Sequence, residues 1–200
     1  MSPPKVLSRR DPLPGAGLRE ALAVVTQAGS QGSPLPIPSP PENVEEVKES
    51  CDSLLFDSFT AEDAWELGHL LYARLLPFAA QKPTLVSISL ANSGQVIFQT
   101  AVGSGTAPDN EAWVRRKRNT VLRFGASTWF MHCKFAGDEE AFRAKYGMSP
   151  ELAQEYAIHG GGVPIRVRSV EGVVAVVVVS GLKQHEDHGV IFDVVREHWQ

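Results

Sequence analysis

Apolar residues recur at helical spacing after residue 60. One face of this segment is formed by Ala64, Leu67, Leu71 and Leu75. Such a stripe predicts an amphipathic helix, and Pro77 ends it because proline lacks a backbone donor and clashes with the preceding turn. Thr60, followed three residues later by Asp63, predicts a capping box at the start of the helix.

Shorter apolar stretches with turn residues between them predict two β-hairpins. In the first, residues 85–90 and 96–101 are joined across an Asn-Ser-Gly turn. In the second, residues 165–170 and 173–179 are joined across a Glu-Gly turn. The last of these strands is apolar at almost every position. We therefore expect both of its faces to be covered, one by helices and the other by a neighbouring subunit.

The remaining patterns complete an α+β arrangement. Residues 53–59 suit an edge strand, residues 110–146 are helical with breaks at Gly125 and Gly137, and residues 185–199 form a closing helix. Hairpins in place of strand–helix–strand crossovers indicate an antiparallel sheet. We predict an α+β domain in which an antiparallel sheet is flanked by helices and two hairpins are separated by a helical segment.

Residues 1–49 differ in composition from the rest of the chain. Gly29–Pro41 reads GSQGSPLPIPSPP, and its prolines and glycines indicate a linker rather than a packed element. Before it, residues 15–28 carry apolar residues at helical spacing. They predict a short helix docked on the domain or on a neighbouring subunit, or else a frayed tail. We expect residues 1–49 to be a mostly disordered leader and residues 50–200 to form one domain.

Composition limits the class of protein. The net charge of -4 argues against binding nucleic acid through the overall field of the protein. The two cysteines, Cys51 and Cys133, are far apart in sequence and favour a reducing compartment. The N-terminus has no secretory apolar region, and the longest apolar run, residues 173–179, is far shorter than the ~20 residues of a spanning helix. We therefore expect a cytoplasmic protein with no membrane or nucleic-acid partner.

A glycine-rich loop before a strongly basic helix is the first candidate site. Gly103–Thr106 leads to Asp109, which we predict to be the N-cap of the helix. Backbone N–H groups at such a helix start favour an anion. The run of cations Arg115–Arg118 follows. These side chains fan out around the helix, so at most two approach one ligand, and the alternative is a solvated basic face.

Two further stretches carry histidines. In the sequence HGGG that begins at His159, the glycines allow the backbone to approach a ligand or another chain closely. His159 itself suits an acid–base group or an axial ligand. His185 and His188 lie three residues apart at a helix start, with Asp187 between them. They do not form the HExxH motif, so no metal site is predicted, and metal binding by this pair is left as the alternative.

Motifs spread along the chain resemble those of a known superfamily. The stretches concerned are GQVIF from Gly94, PDN from Pro108, RFGAS from Arg123, HGG from His159 and VSGL from Val179. In combination they resemble a branch of the haem-degrading-domain superfamily, which includes GlcG-type and HbpS-type haem-binding proteins and the C-terminal domain of PduO-type corrinoid proteins. The resemblance covers residues 54–195. It implies a five-stranded antiparallel sheet flanked by helices, a dimer-based ring of identical subunits, and haem, another tetrapyrrole or another small ligand.

These inferences lead to one leading hypothesis and two alternatives. The leading hypothesis is an oligomeric module that binds a small anion or a tetrapyrrole. Its predicted ligand-binding residues are Asp109, Asn110, Trp113, Arg116, Lys117, Arg123, His159, Gly160 and Gly161. The second hypothesis is an enzyme, for example one that degrades haem, in which His159 or His188 is the acid–base group and Asp187 orients it. The third is an adaptor whose glycines and arginines serve subunit contacts.

Overall fold

The structure, a computed structural model, describes residues 5–27 and 34–200. Its α-helices are Ala16–Gln27 (α1), Val44–Ser50 (α2), Ala61–Leu75 (α3), Pro108–Phe124 (α4), Thr128–Lys134 (α5), Glu139–Lys145 (α6), Pro150–Ala153 (α7) and Gln184–His198 (α8). Its strands are Leu54–Phe56 (β1), Thr84–Leu90 (β2), Val96–Val102 (β3), Gly162–Val167 (β4) and Ala175–Ser180 (β5). The mixture of helices and strands confirms the predicted α+β class.

The strands form one five-stranded sheet in the order β1-β4-β5-β2-β3. β2 and β3 form the first predicted hairpin, β4 and β5 form the second, and antiparallel pairing of β2 with β5 joins them. The sheet departs from the antiparallel prediction only at its edge, where β1 pairs with β4 in parallel. β1 and β4 are separated by α3, the first hairpin and α4 to α7, so no tight turn imposes an antiparallel direction on them.

Both faces of the sheet are covered by helices of the same chain. α3 and α8 lie over one face, where Val177 joins the main hydrophobic core. α4 lies over the other face, where Val114 and Val121 pack with Val176 and Val178 of β5. Both faces of β5 are therefore covered as predicted. The subunit partner expected on the second face is not needed there, because the apolar stripe of α4 buries that face within the chain.

Local sequence signals set several element boundaries. Asp63 accepts the N–H of Thr60 at 2.8 Å and donates its own N–H to Thr60 Oγ1 at 3.3 Å, which confirms the capping box. Gly125 ends α4 with a φ of 62°, in the left-handed region that glycine adopts readily. The glycine run after His159 is not wholly a loop, because Gly162 already begins β4.

The segment before residue 50 packs on the domain where the structure describes it. Glu66 of α3 is buried and accepts hydrogen bonds from the N–H groups of Gly15 and Gly17, the second at 2.6 Å. Arg9 lies beside this carboxylate, with its Nη1 atom 3.6 Å from Glu66 Oε1. This arrangement differs from the mostly disordered leader that the composition predicts. The buried carboxylate explains the difference, because it bonds N–H groups that the first turn of a helix leaves unpaired.

Part of the predicted proline-rich linker also contacts the domain. The carbonyl of Pro41 accepts a hydrogen bond from Trp129 Nε1 at 2.7 Å. The carbonyl of Pro36 accepts one from Arg74 Nη2 at 3.0 Å. Proline lacks an N–H but keeps its acceptor, so side chains of the domain can hold such a segment without any strand or helix. The rest of the linker before residue 34, and residue 28 of the predicted helix, lie outside the described residues.

Candidate functional site

Residues from distant parts of the chain meet in a cleft of about 460 Å³ beside the starts of α4 and α8. We call it the polar cleft. The predicted ligand-binding residues that line it are Asp109, Asn110, Trp113 and Lys117 of α4 and His159 of the loop before β4. The end of β5 and the start of α8 contribute Ser180, Gly181, Leu182, Gln184 and Asp187. Loop ends beside a rigid sheet are a usual location for a binding site.

Lys117 and Asp187 form a buried ion pair at the floor of the polar cleft. Lys117 Nζ donates to Asp187 Oδ2 and to the carbonyl of Val179, both at 3.0 Å. Asp187 also accepts the N–H groups of Leu182 and Gly181, at 2.9 and 3.4 Å. Burial raises the pKa of the Asp187 carboxyl, and the charge of Lys117 opposes that rise. Such a desolvated pair costs stability, and perturbed buried groups of this kind concentrate at functional sites.

The glycines after His159 allow the chain to pass directly behind this ion pair. Gly161 has a φ of 112°, and a Cβ atom there would lie 2.9 Å from Lys117 Nζ and 2.8 Å from Asp187 Cβ. Gly160 is close to the backbone of Gln184, and its N–H donates to Gln184 Oε1 at 3.4 Å. The glycine backbone was expected to approach a ligand or another chain closely, and it approaches other segments of the same chain instead. Gly160 and Gly161 support the polar cleft from behind and do not line it.

His159 lies at the side of the polar cleft between an aromatic ring and a carboxylate. Its ring meets that of Trp113 edge-on, with 5.0 Å between the ring centres. Its Nδ1 atom lies 3.4 Å from Glu139 Oε1 without hydrogen-bond geometry, and the contact is an ion pair only when the imidazole is protonated. Burial lowers the pKa of His159, and the Glu139 carboxylate partly opposes this. In the described part of the chain no hydrogen bond joins His159 to Asp187, so the hypothesised acid–base pair is not formed.

The start of α4 differs from the prediction in one detail. Ala107 is the N-cap and Pro108 is the first helical residue, so Asp109 lies within the first turn and does not cap the helix. Proline suits this first position because its missing N–H would have no partner there. Asn110 takes the capping role, since its Oδ1 atom accepts the N–H of Ala107 at 2.8 Å. Asp109 is consequently exposed at the rim of the polar cleft.

Both of the predicted ligand-binding arginines lie outside the polar cleft. Arg116 donates its Nε hydrogen to the carbonyl of Tyr156 at 3.0 Å and lines a neighbouring pocket. Arg123 lies 4.9 Å from the centre of the Tyr156 ring, and its Nη1 atom donates to Met148 Sδ at 3.3 Å. Arg116 is rotated by about 100° from Lys117 around the helix axis, and Arg123 is about two turns farther along. Helix geometry therefore separates cations that the sequence places close together.

His188 belongs to the core and not to the polar cleft. Its side chain is fully buried, with Nε2 2.9 Å from the carbonyl of Cys51 and the ring beside Phe192. Burial lowers the pKa of His188 to about 3. It follows Asp187 directly in sequence, but adjacent residues of a helix point about 100° apart. This position does not support the acid–base role hypothesised for His188.

Three polar residues of this region are not among the predicted site residues: Ser180, Gln184 and Glu139. Gln184 lines the polar cleft, and its Nε2 atom lies 3.2 Å from His132 Nε2. Its position beside the Ser-Gly-Leu motif is the signal that could have identified it. Glu139 reaches His159 from the start of α6, and no local motif marks it. Within residues 5–27 and 34–200, no three His, Cys, Asp or Glu side chains come together as a metal-binding group.

Known proteins resemble this chain over most of its length. A UPF0303 protein of Streptomyces coelicolor is 38% identical over 152 residues, which cover 76% of this chain and 90% of that protein. The UPF0303 protein YBR137W of Saccharomyces cerevisiae is 38% identical over 152 residues, which cover 74% of this chain and 78% of that protein.

Solved structures share the fold. The crystal structure of the Ybr137w protein has a TM-score of 0.66 and 32% identity, and the match covers 88% of this chain and 94% of that one. The crystal structure of HbpS has a TM-score of 0.50 and 18% identity, with 70% and 88% coverage, and shows likeness of fold alone. The family described as "Haem degrading protein HbpS-like" matches residues 59–196. With more than half of its residues matched, this chain belongs to the HbpS-like family.

Proposed function

We propose that this chain is a ligand-binding module whose polar cleft holds the carboxylate or carbonyl group of a small polar molecule. One observation carries the proposal, the buried ion pair of Lys117 and Asp187 at the floor of an open cleft. A purely structural core gains little from such a pair, because apolar residues of similar volume are often equally stable or more so. Membership of a family described by haem degradation supports ligand binding as the general class of function.

The hydrogen-bonding capacity at the floor favours a ligand that accepts hydrogen bonds. An ammonium group has three N–H donors, and Lys117 uses two of them on Asp187 and Val179. Both oxygens of Asp187 are already engaged as acceptors. Lys117 and Ser180 both line the polar cleft, and we propose that the third N–H of Lys117 and the hydroxyl of Ser180 donate to the ligand from below.

The side walls of the polar cleft can contact the less polar part of a small ligand. Trp113 and His159 present ring surfaces that meet edge-on, and Leu182 adds an apolar side chain. The Gln184 amide, close to His132, supplies a further polar group at the start of α8. A few placed polar groups among ring surfaces are typical of sites for small molecules.

Haem, which the family description suggests, fits the described residues poorly. His159 is an imidazole donor, but its ring is held between Trp113 and Glu139. The macrocycle needs apolar cover on both faces, whereas the polar cleft has Asp109 at its rim and Asp187 at its floor. Burying carboxylates against a porphyrin face would be unfavourable. No haem chemistry is therefore assigned to these residues.

The proposal also includes a homo-oligomer and a cytoplasmic location. The homo-oligomer is proposed from the family resemblance alone. The apolar character of β5 no longer argues for a neighbouring subunit, because α4 covers the second face of this strand. The described helices are all too short or too polar to cross a membrane. Light scattering at several protein concentrations tests the oligomer, and a monomer at all of them would contradict it.

Thermal unfolding with small anions tests the binding proposal. A ligand that binds only the folded protein raises its melting temperature. We expect a rise with at least one of pyruvate, malonate and citrate, and no Soret shift when haem is added. The rise should disappear in His159→Ala and Trp113→Leu, which alter the sides of the polar cleft. It should persist in Arg115→Ala, a matched control on an exposed position of α4.

Two outcomes would contradict this proposal. One is the absence of any rise with these anions in the wild-type protein. The other is a rise that His159→Ala and Trp113→Leu leave unchanged, because the anion would then bind elsewhere. A stoichiometric Soret shift would instead show that the protein binds haem and would overturn the assignment to small polar ligands.

A further inference from the structure

A second pocket, of about 420 Å³, lies between α4, α6 and α7 beside the polar cleft. We call it the arginine pocket. Its floor includes the apolar side chains of Phe142, Tyr156 and Ile158, with Ala153 at its edge. Phe142 and Ile158 belong to a hydrophobic cluster separate from the main core. This floor is therefore a packed apolar surface on which a ring or a branched chain can lie, and the volume falls in the usual range for small-molecule sites.

The charged groups around the arginine pocket leave one cation without a carboxylate. Arg143 is paired with Glu140 in α6. Glu139 faces His159, with 3.4 Å between Oε1 and Nδ1, and its carboxylate is neutralised there only when the imidazole is protonated. Arg116 donates its Nε hydrogen to a backbone carbonyl, and within residues 5–27 and 34–200 no carboxylate lies at ion-pair distance from its guanidinium. The terminal N–H groups of Arg116 are therefore available to an anionic ligand.

Trp113 fixes the orientation of this free guanidinium. The Arg116 Cζ atom lies 4.5 Å from the centre of the Trp113 ring. Stacking of this kind holds the planar guanidinium group in place. The Arg116 side chain therefore loses less conformational freedom when it forms two parallel hydrogen bonds to a carboxylate. The geometry is that of a pre-oriented carboxylate receptor above an apolar floor.

We propose that the arginine pocket binds a small aromatic or branched-chain carboxylate. Arg116 takes the carboxylate through its terminal N–H groups, and Phe142, Tyr156 and Ile158 hold the apolar body. This site is distinct from the polar cleft, although the two share a wall. Trp113 and His159 line the polar cleft, and their partners Arg116 and Glu139 line the arginine pocket.

Calorimetric titration of the full chain with benzoate tests this site. Acetate keeps the carboxylate and removes the ring, and benzyl alcohol keeps the ring and removes the charge. We expect benzoate to bind at least about tenfold more tightly than either, since a charge-assisted hydrogen bond and a buried ring each contribute more than the ~1.4 kcal/mol of a tenfold change. Equal binding of the three probes, or no binding of benzoate, would overturn the proposal.

Two variants test whether benzoate binds in the arginine pocket. Ala153→Phe fills the edge of the arginine pocket without removing a polar contact, and we expect it to abolish benzoate binding. Arg116→Gln should weaken binding at least about tenfold through loss of the charged donor. Arg115→Gln is the matched control, because it removes the neighbouring exposed cation, and it should bind as the wild type does.

The double variant Lys117→Met/Asp187→Asn separates this proposal from the one about the polar cleft. It removes both charges from the floor of the polar cleft and none from the arginine pocket. We expect it to bind benzoate as the wild type does, whether or not any small anion binds the polar cleft. Benzoate binding that is lost in the double variant and retained in Ala153→Phe would overturn the present inference. Melting temperatures of all variants without ligand show that each is folded.

Discussion

Lys117 and Asp187 lie 70 positions apart in the chain, and their charged atoms approach to 3.0 Å at the floor of the polar cleft. Their side chains are only 3% and 4% exposed. The contact ties the middle of α4 to the first turn of α8, and Lys117 also holds the end of β5 through the carbonyl of Val179. The pair therefore fixes the relative position of the elements that line the polar cleft.

Removing one partner of this pair should destabilise the protein strongly. Lys117→Met leaves the Asp187 carboxylate buried without its countercharge, and we expect a loss of about 3–5 kcal/mol in the free energy of unfolding. Lys117→Met/Asp187→Asn leaves no unpaired charge and should lose clearly less. Urea denaturation measures both. Arg115→Met, at an exposed position of α4, is the control and should change stability by less than about 0.5 kcal/mol. A Lys117→Met protein as stable as this control would contradict the description of the pair.

The glycine behind the ion pair should be far less tolerant of substitution than another glycine with positive φ. Gly161→Ala and Gly172→Ala both place alanine in the left-handed region, at φ values of 112° and 83°, which costs about 1–2 kcal/mol. A Cβ at Gly172 meets open space, whereas one at Gly161 would clash with the backbone oxygen of Val179 and lie 2.8 Å from Asp187 Cβ. We expect Gly161→Ala to lose a further ~1–3 kcal/mol through this overpacking. Equal losses in urea denaturation would show that the backbone can move away from Asp187.

Stability should fall in mild acid because His188 is buried in its neutral form. Its pKa is lowered from 6.5 to about 3, so the unfolded chain binds a proton between these values that the folded chain does not. The stability contributed by neutral His188 is complete above pH 6.5 and is lost as the pH falls towards 3. The raised pKa of Asp187 acts in the opposite direction.

His188→Gln isolates this effect, because it keeps a donor for the carbonyl of Cys51 and cannot titrate. Asp187 is present in both proteins, so its contribution cancels in the comparison. We expect the free energy of unfolding of the wild type to fall more steeply between about pH 6.5 and about pH 4.5, by up to ~1.4 kcal/mol per pH unit. Parallel curves for the two proteins would exclude His188 as the cause.

The Glu66 carboxylate should hold the start of α1 on the domain. It accepts the N–H groups of Gly15 and Gly17, and Arg9 lies beside it. Glu66→Gln keeps the size and removes the charge, so we expect faster hydrogen exchange throughout α1 with little change in α8. Glu62→Gln, on the exposed side of α3, is the matched control. Unchanged exchange in α1 would mean that apolar contacts alone hold this helix.

The sequence predicts most of the fold because its periodicities are strong. The stripe from Ala64 to Leu75, and the short apolar stretches of the two hairpins with turn residues between them, each specify one local structure. The direction of β1 and the element that covers the second face of β5 could not be predicted, since local patterns show that a surface is buried but not what buries it. The same limit applies to α1, which Glu66 holds from a distant helix.

The candidate site is predicted less completely than the fold. Asp109, Trp113 and Lys117 converge on the polar cleft because they are spaced four residues apart and so share one face of α4, and the loop that carries His159 lies beside this face. The sequence predicts one site for Arg116 and Lys117, but these neighbours point in different directions around the helix, and only Lys117 lines the polar cleft. Glu139 was missed because its contact with His159 arises only from tertiary packing.

Amide correlation spectra of the isotopically labelled protein, titrated with malonate, test the central claim most directly. If the polar cleft binds such an anion above the Lys117–Asp187 pair, shift changes should concentrate at Trp113, His159 and Leu182, which line it on different elements. They should saturate with a single dissociation constant. Changes spread over exposed cations such as Arg115 and Lys145, or no saturable change at all, would contradict the account.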